Sequence, residues 1–235
     1  MARKQTAKNR RKRHKKVSKK DARSHRRPKK KPRVSSKTRQ SSPKQSLPML
    51  EALLGSPARA RILRFLYRHP DAAYNLKTLS KILLLKTPSV ARECLALARL
   101  GILKSRSGGS RKTYQVSAAF PFSGELRAIS VHSHALSSAQ ILSELSKKIH
   151  PKLVVISGSF LNIPGSPTDL FVVADRVSEK QLASAMKQFE AQLGTELRWS
   201  AFNTNEFIYR WKMFDRFLKS IFESTHEILL GKVPK

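Results

Sequence analysis

Residues 76–117 read LKTLSKILLLKTPSVARECLALARLGILKSRSGGSRKTYQVS, and this stretch decides the fold. Thr87-Pro88 marks a helix start, a hydroxyl cap followed by proline. From there Val90, Cys94, Leu97 and Leu100 recur at spacings of four, three and three, one apolar stripe on a helix. Gly101 closes that helix. Residues 102–106 read as a strand, Ser107-Gly108-Gly109-Ser110 as a turn and residues 112–116 as the returning strand, together a β-hairpin. Working backwards, residues 75–84 read as a preceding helix with Leu76, Leu79 and Leu83 inward. Earlier still, Ser56-Pro57 caps and starts a helix that buries Ile62, Leu63, Phe65 and Leu66 and ends at His69-Pro70.

Three helices followed by a hairpin is the winged helix-turn-helix order. The stretch resembles the ArsR-like regulators, whose motif ends in a glycine-apolar-apolar step into the wing, here Gly101-Ile102-Leu103. The resemblance implies that the helix over 87–100 enters the major groove of duplex DNA and that the 107–111 hairpin touches the backbone or minor groove. Ser89, Ala91, Arg92 and Ala96 lie off the apolar stripe. Thr87 and Ser89, near the helix start, suit a phosphate or a base edge. Arg92 is the best candidate for a base contact, because a guanidinium matches guanine O6 and N7. Lys86, Arg106, Arg111 and Lys112 suit phosphates. For each charge the plain alternative is a solvated surface residue. Ala91 and Ala96 are small, so sequence selectivity is expected to be modest. Cys94 falls on the buried stripe and reads as core. The metal-sensing branch of this regulator class needs Cys/His clusters, which are absent.

Residues 131–235 alternate helices and strands, which indicates a layered α/β module with a mixed sheet. A helix is expected over 137–148, strands over 153–156 and 170–174, and a helix over 178–193 ended by Gly194. A strand follows over 196–202. Asn203 and Glu206 pair as a capping box for a single helix to about 223, which presents Phe207, Trp211, Phe214, Leu218 and Ile221. A last strand over 227–230 ends at Gly231.

Gly158-Ser159-Phe160, then Asp169-Leu170 within a strand–loop–strand, resemble the minimal nucleotidyltransferases of the DNA polymerase β superfamily. A winged helix fused to such a domain is a prokaryotic arrangement. The resemblance implies a Gly158-Ser159 turn that holds nucleotide phosphates and an Asp-x-Asp pair that binds two Mg²⁺ ions. In Ser166-Pro167-Thr168-Asp169, however, Pro167 stands where the first catalytic aspartate belongs, so only Asp169 is left as a catalytic or metal-binding residue. Two-metal phosphoryl transfer needs carboxylates converging on ions about 3.5–4 Å apart. Asp175 lies six residues further along, roughly 20 Å in a strand. The domain is therefore expected to be catalytically inactive, with no cofactor, and Mg²⁺ only if activity survives. Alternatively, Gly158-Ser159 is just a tight turn and Asp169 a strand-end cap. His132 and His134, without a third ligand nearby, read as polar surface.

The 235 residues carry 48 Lys/Arg and 15 Asp/Glu, a formal charge of +33. Residues 1–46 hold 21 of the bases and one acid, Asp21, so they account for +20 of it; the rest of the chain holds +13. This arm offers almost nothing to bury and is expected to be disordered on its own. A polycation of such density attracts polyanions by counterion release. Lacking Phe, Tyr and Trp, it has no platform on which single-stranded bases stack. It is expected to track phosphates, of DNA or of RNA, without reading sequence. One cysteine excludes an intramolecular disulfide, and no apolar run is long enough to span a membrane.

The expectation is an α+β chain of three parts: a basic tail (1–46), a winged helix (47–130) and a nucleotidyltransferase-like domain (131–235). Its expected role is DNA-binding transcription regulation in the cytoplasm, at the nucleoid. Duplex DNA is the main partner, with a nucleotide ligand and a homodimer as further expected partners. Two other classes stay open: an active metal-dependent nucleotidyltransferase, and an architectural or RNA-associated binding protein.

Overall fold

The computed structural model describes residues 49–108, 111–133 and 135–234. The basic arm, His134 and the tip of the hairpin turn lie outside the described residues. Among the described residues the fold is α+β, with two sheets. No helix of the described residues is long and apolar enough to cross a membrane.

The first half opens with a short helix, α1 (Met49–Leu54), and continues into α2 (Pro57–Arg68). Ser56 caps α2 by accepting from the Arg59 N–H, as the Ser-Pro pair predicts. A two-residue strand, β1 (Tyr74–Asn75), leads into α3 (Leu76–Ile82), which Asn75 caps through Thr78 N–H. Helix α4 (Thr87–Arg99) follows, then the hairpin strands β2 (Leu103–Gly108) and β3 (Arg111–Val116). The three strands form an antiparallel sheet in the order β1-β3-β2, with Tyr74 opposite Tyr114 and Leu103 opposite Val116. Ile62, Leu63, Leu66, Leu79, Leu83, Val90, Cys94 and Leu97 meet in one core with Tyr114 and Val116 from the hairpin.

Three details depart from the sequence expectation. Strand β1 is too short to leave a periodic signal. The cap of α4 is Lys86, without a side-chain bond, and Thr87 is already helical. Leu100, assigned to the buried stripe, is exposed, because it is the C-cap residue where the helix path ends.

Helices α5 (Ser123–His132) and α6 (Ser138–Ser146) lead into the second half. Its sheet has the order β6-β5-β4-β7, built from β4 (Pro151–Ser157), β5 (Leu170–Ala174), β6 (Trp199–Asn203) and β7 (His226–Leu230). Only β5 and β6 run parallel, joined by the crossover helix α7 (Glu179–Leu193). The runs LVVI and LFVV are apolar throughout because both sheet faces are covered. Val154, Ile156, Leu170 and Val172 face a core shared with residues of α6 and α7, including Ile141, Leu145 and Phe189. Leu153, Val155, Phe171 and Val173 face Phe207, Leu218 and Ile221.

The expected single helix after Asn203 is two helices, α8 (Thr204–Lys212) and α9 (Arg216–Glu223). Between them Phe214 takes a left-handed backbone (φ +53°) and is 86% exposed, not inward. Asp215 restarts the helix by accepting from the Phe217 and Leu218 N–H groups. An aspartate cap competes with helix continuation, and here the cap wins.

Candidate functional site

Helix α4 buries Val90, Cys94 and Leu97. At 100° per residue, Arg92, Leu95 and Arg99 lie on the opposite side. All three are exposed, and the Arg92 side chain retains 76% of its accessible surface. Lys86 and Thr87 are exposed at the helix start and Ser89 is half-buried beside them. The Thr87 hydroxyl donates to Ser80 Oγ (3.0 Å), so part of its bonding capacity is spent joining α3 to α4. On the hairpin, Arg106 and Lys112 are exposed, and the Lys112 ammonium stands 5.7 Å from the centre of the Tyr114 ring. Arg111 opens β3.

The charge pattern of this region is its most informative property. Between residues 76 and 116 there are nine Lys/Arg and a single acid, Glu93. Glu93 is buried. It accepts from Arg59 Nε at 3.0 Å and from Ser56 Oγ at 3.1 Å, tying α4 to the start of α2. Arg92 comes no nearer to it than 3.7 Å. The eight whose side chains are described, all but Arg111, are exposed. The surface of α3, α4 and the hairpin is thus cationic with no exposed carboxylate. The sequence carries this signal as a 41-residue window with one acid; it is a property of the window, not of any single contact candidate, and Leu95 and Arg99 stand out only once the exposed side of α4 is known.

Cys94 is fully buried among core residues. Burial, with a smaller push from the Glu93 charge, raises its thiol to about 12. Such a thiol is inert at neutral pH.

The turn 158–169 joins β4 to β5. Gly158 has φ +54°, and a Cβ there would collide with Asp169 Oδ1. Its N–H donates to Ser166 Oγ (3.1 Å), and the Ser159 N–H donates to Asp169 Oδ1 (2.7 Å). Asp169 Oδ2 accepts from the Arg198 backbone N–H (2.8 Å) and from Arg198 Nε (3.4 Å). Ser157 Oγ donates to the Thr168 carbonyl, and Thr168 Oγ1 bonds the Arg198 carbonyl (3.0 Å). Both backbone N–H groups that a phosphate would need are donated within the protein. Both oxygens of the buried Asp169 carboxylate are occupied by N–H donors.

Pro167 brings no carboxylate, and these residues do not fit a two-Mg²⁺ centre. Asp175 is spent elsewhere: Lys152 Nζ (2.6 Å) and Thr204 Oγ1 (2.7 Å) hold its carboxyl below the usual range. Among the described residues no three His, Cys, Asp or Glu side chains are placed to hold a metal ion.

The two halves meet at α2. Arg64 is fully buried and donates to Glu51 of α1 (3.2 Å), to the Gln192 carbonyl near the end of α7 (2.9 Å) and to Ser133 Oγ (3.4 Å). Burial holds its guanidinium below the ordinary value, against the pull of Glu51. One turn on, at the last residue of α2, Arg68 donates to the Val131 carbonyl (3.1 Å) and to Asn162 of the 158–169 turn (3.3 Å). Gly194, after α7, takes φ +73° and packs so closely on α2 that a Cβ would stand 2.9 Å from Phe65 Cα.

No family model, curated protein or solved structure matches this chain.

Proposed function

We propose that the chain is a DNA-binding transcriptional regulator in which α2, α3, α4 and the β2–β3 hairpin act as a winged helix on duplex DNA. The observation that carries this reading is the acid-free cationic surface of α3, α4 and the hairpin. A three-helix-and-hairpin order with the most exposed side of α4 bearing Arg92 is what a helix entering the major groove requires. Lys86, Arg106 and Lys112 flank it, where phosphates pass. The basic arm adds affinity for any sequence, for RNA as well as DNA, and favours a nucleoid location. The second half is a nucleotidyltransferase-like fold without catalysis, since Asp169 serves the turn and the turn keeps its own N–H groups. Its role in this reading is to brace α2 through Arg64 and Arg68 and to offer a surface for self-association.

Selection of duplexes from a random pool by the full chain tests the reading. The expected result is an enriched motif that the Arg92→Ala chain no longer enriches. Equal capture of duplex DNA, duplex RNA and heparin, with no motif, replaces it by the architectural alternative. Transfer of label from a nucleoside triphosphate with Mg²⁺, abolished by Asp169→Ala, replaces it by the enzyme.

A further inference from the structure

We infer that Leu95 is a specificity-determining residue that reads the C5-methyl group of a thymine next to a guanine read by Arg92. The inference rests on the DNA-binding reading above and deepens it.

On α4 the direction away from the core is defined by Val90, Cys94 and Leu97. Arg92 and Leu95, three apart, lie opposite that stripe and form one ridge. Leu95 is 41% exposed although it is apolar, and the one acid of α3, α4 and the hairpin, Glu93, is buried. Ala91 and Ala96, half-buried on either side, are too short to reach past it. If α4 lies in the major groove, Arg92 and Leu95 are its outermost reading side chains.

The groove offers each of them a distinct match. Guanine presents two acceptors to a guanidinium, and thymine presents a methyl group to an apolar side chain. Three residues of helix rise about 4.5 Å, close to one base-pair step of about 3.4 Å. The recognised element is therefore a G·C pair adjacent to an A·T pair whose thymine methyl faces Leu95. Arg99, a turn further on at the helix end, is placed for a phosphate, because reading side chains cluster towards the start of such a helix.

The test compares two probes with the full chain. The first is the best duplex from the selection; the second carries uracil in place of its G-adjacent thymine, which removes one methyl group and nothing else. The wild-type chain is expected to bind the uracil duplex about fourfold more weakly, the effect of taking one methyl out of apolar contact. Leu95→Gln keeps a good helix former at an exposed position. It is expected to bind the thymine duplex more weakly and to treat the two probes alike. Wild-type indifference to the methyl group overturns the inference, as does a Leu95→Gln chain that still prefers thymine. An enriched motif without a G-adjacent thymine also overturns it, while leaving the DNA-binding reading intact. Failure to enrich any motif defeats both readings.

Discussion

Both carboxylate oxygens of Asp169 are used to hold the 158–169 turn against the start of β6. Its two oxygens hold the Ser159 and Arg198 N–H groups, which come from elements far apart in the chain. Replacing it by alanine takes the acceptor from both N–H groups and empties a buried position. A loss of about 2–4 kcal/mol in unfolding free energy is expected by denaturant titration. A catalytic aspartate outside such a network would give a far smaller loss. The position of Asp169 at the strand start was legible in the sequence, because the Gly-Ser turn and the apolar strand frame it. Its use was not, since the Arg198 donor lies 29 residues away and only the β5–β6 pairing brings it near.

Cys94 gives a second residue-scale expectation. With its thiol raised to about 12, it stays protonated in the fold across the range where an unfolded thiol, near 8.5, ionises. The unfolded chain therefore binds fewer protons at alkaline pH. The Cys94 contribution to stability is complete below about pH 8 and is lost as pH rises towards 12. Iodoacetamide at pH 8.5 is expected to label Cys94 only as fast as the protein unfolds; immediate labelling of the native chain would show the site to be open.

At the scale of elements, α2 is the member on which both halves depend. Arg64 is paired with Glu51 and bonded to the carbonyl end of α7, a favourable place for a cation. Arg64→Ala strands Glu51 in the interior, and an unfolding free energy lower by about 3–5 kcal/mol is expected, with a single transition replaced by two if this contact is what makes the halves unfold together. The sequence marked α2 cleanly at Ser56-Pro57 and His69-Pro70. It gave no sign that Arg64 turns inward, because an arginine beside Leu63 and Phe65 reads as a surface charge until its partners on α1 and α7 are in place.

The α8–α9 break makes the opposite point. Phe207, Trp211, Phe214 and Leu218 share a helical period, and periodicity alone extends the helix through a position where Asp215 ends it. Phe214 pays a left-handed backbone cost with little burial in return. Phe214→Gly is expected to raise stability by about 1 kcal/mol, measured by thermal unfolding.

At the scale of the whole molecule, most of the charge lies on an arm and a face, +20 on residues 1–46 and +8 on residues 76–116. The +20 of residues 1–46 belongs to a stretch without aromatic residues. Removing it is expected to weaken binding to every duplex and to flatten the salt dependence, leaving the preference among sequences unchanged. In the proposed function, the face made by α3, α4 and the hairpin is the part that selects a sequence. Its central test is the slope of log affinity against log salt for the full chain on duplex DNA, compared between Arg92→Gln/Arg106→Gln/Lys112→Gln and a control, Arg176→Gln/Lys180→Gln/Lys187→Gln, that removes three exposed charges on or beside α7. The face variant is expected to lower the slope by about 2–3 and to lose sequence preference, while the control keeps both. Equal behaviour of the two variants would contradict that expectation.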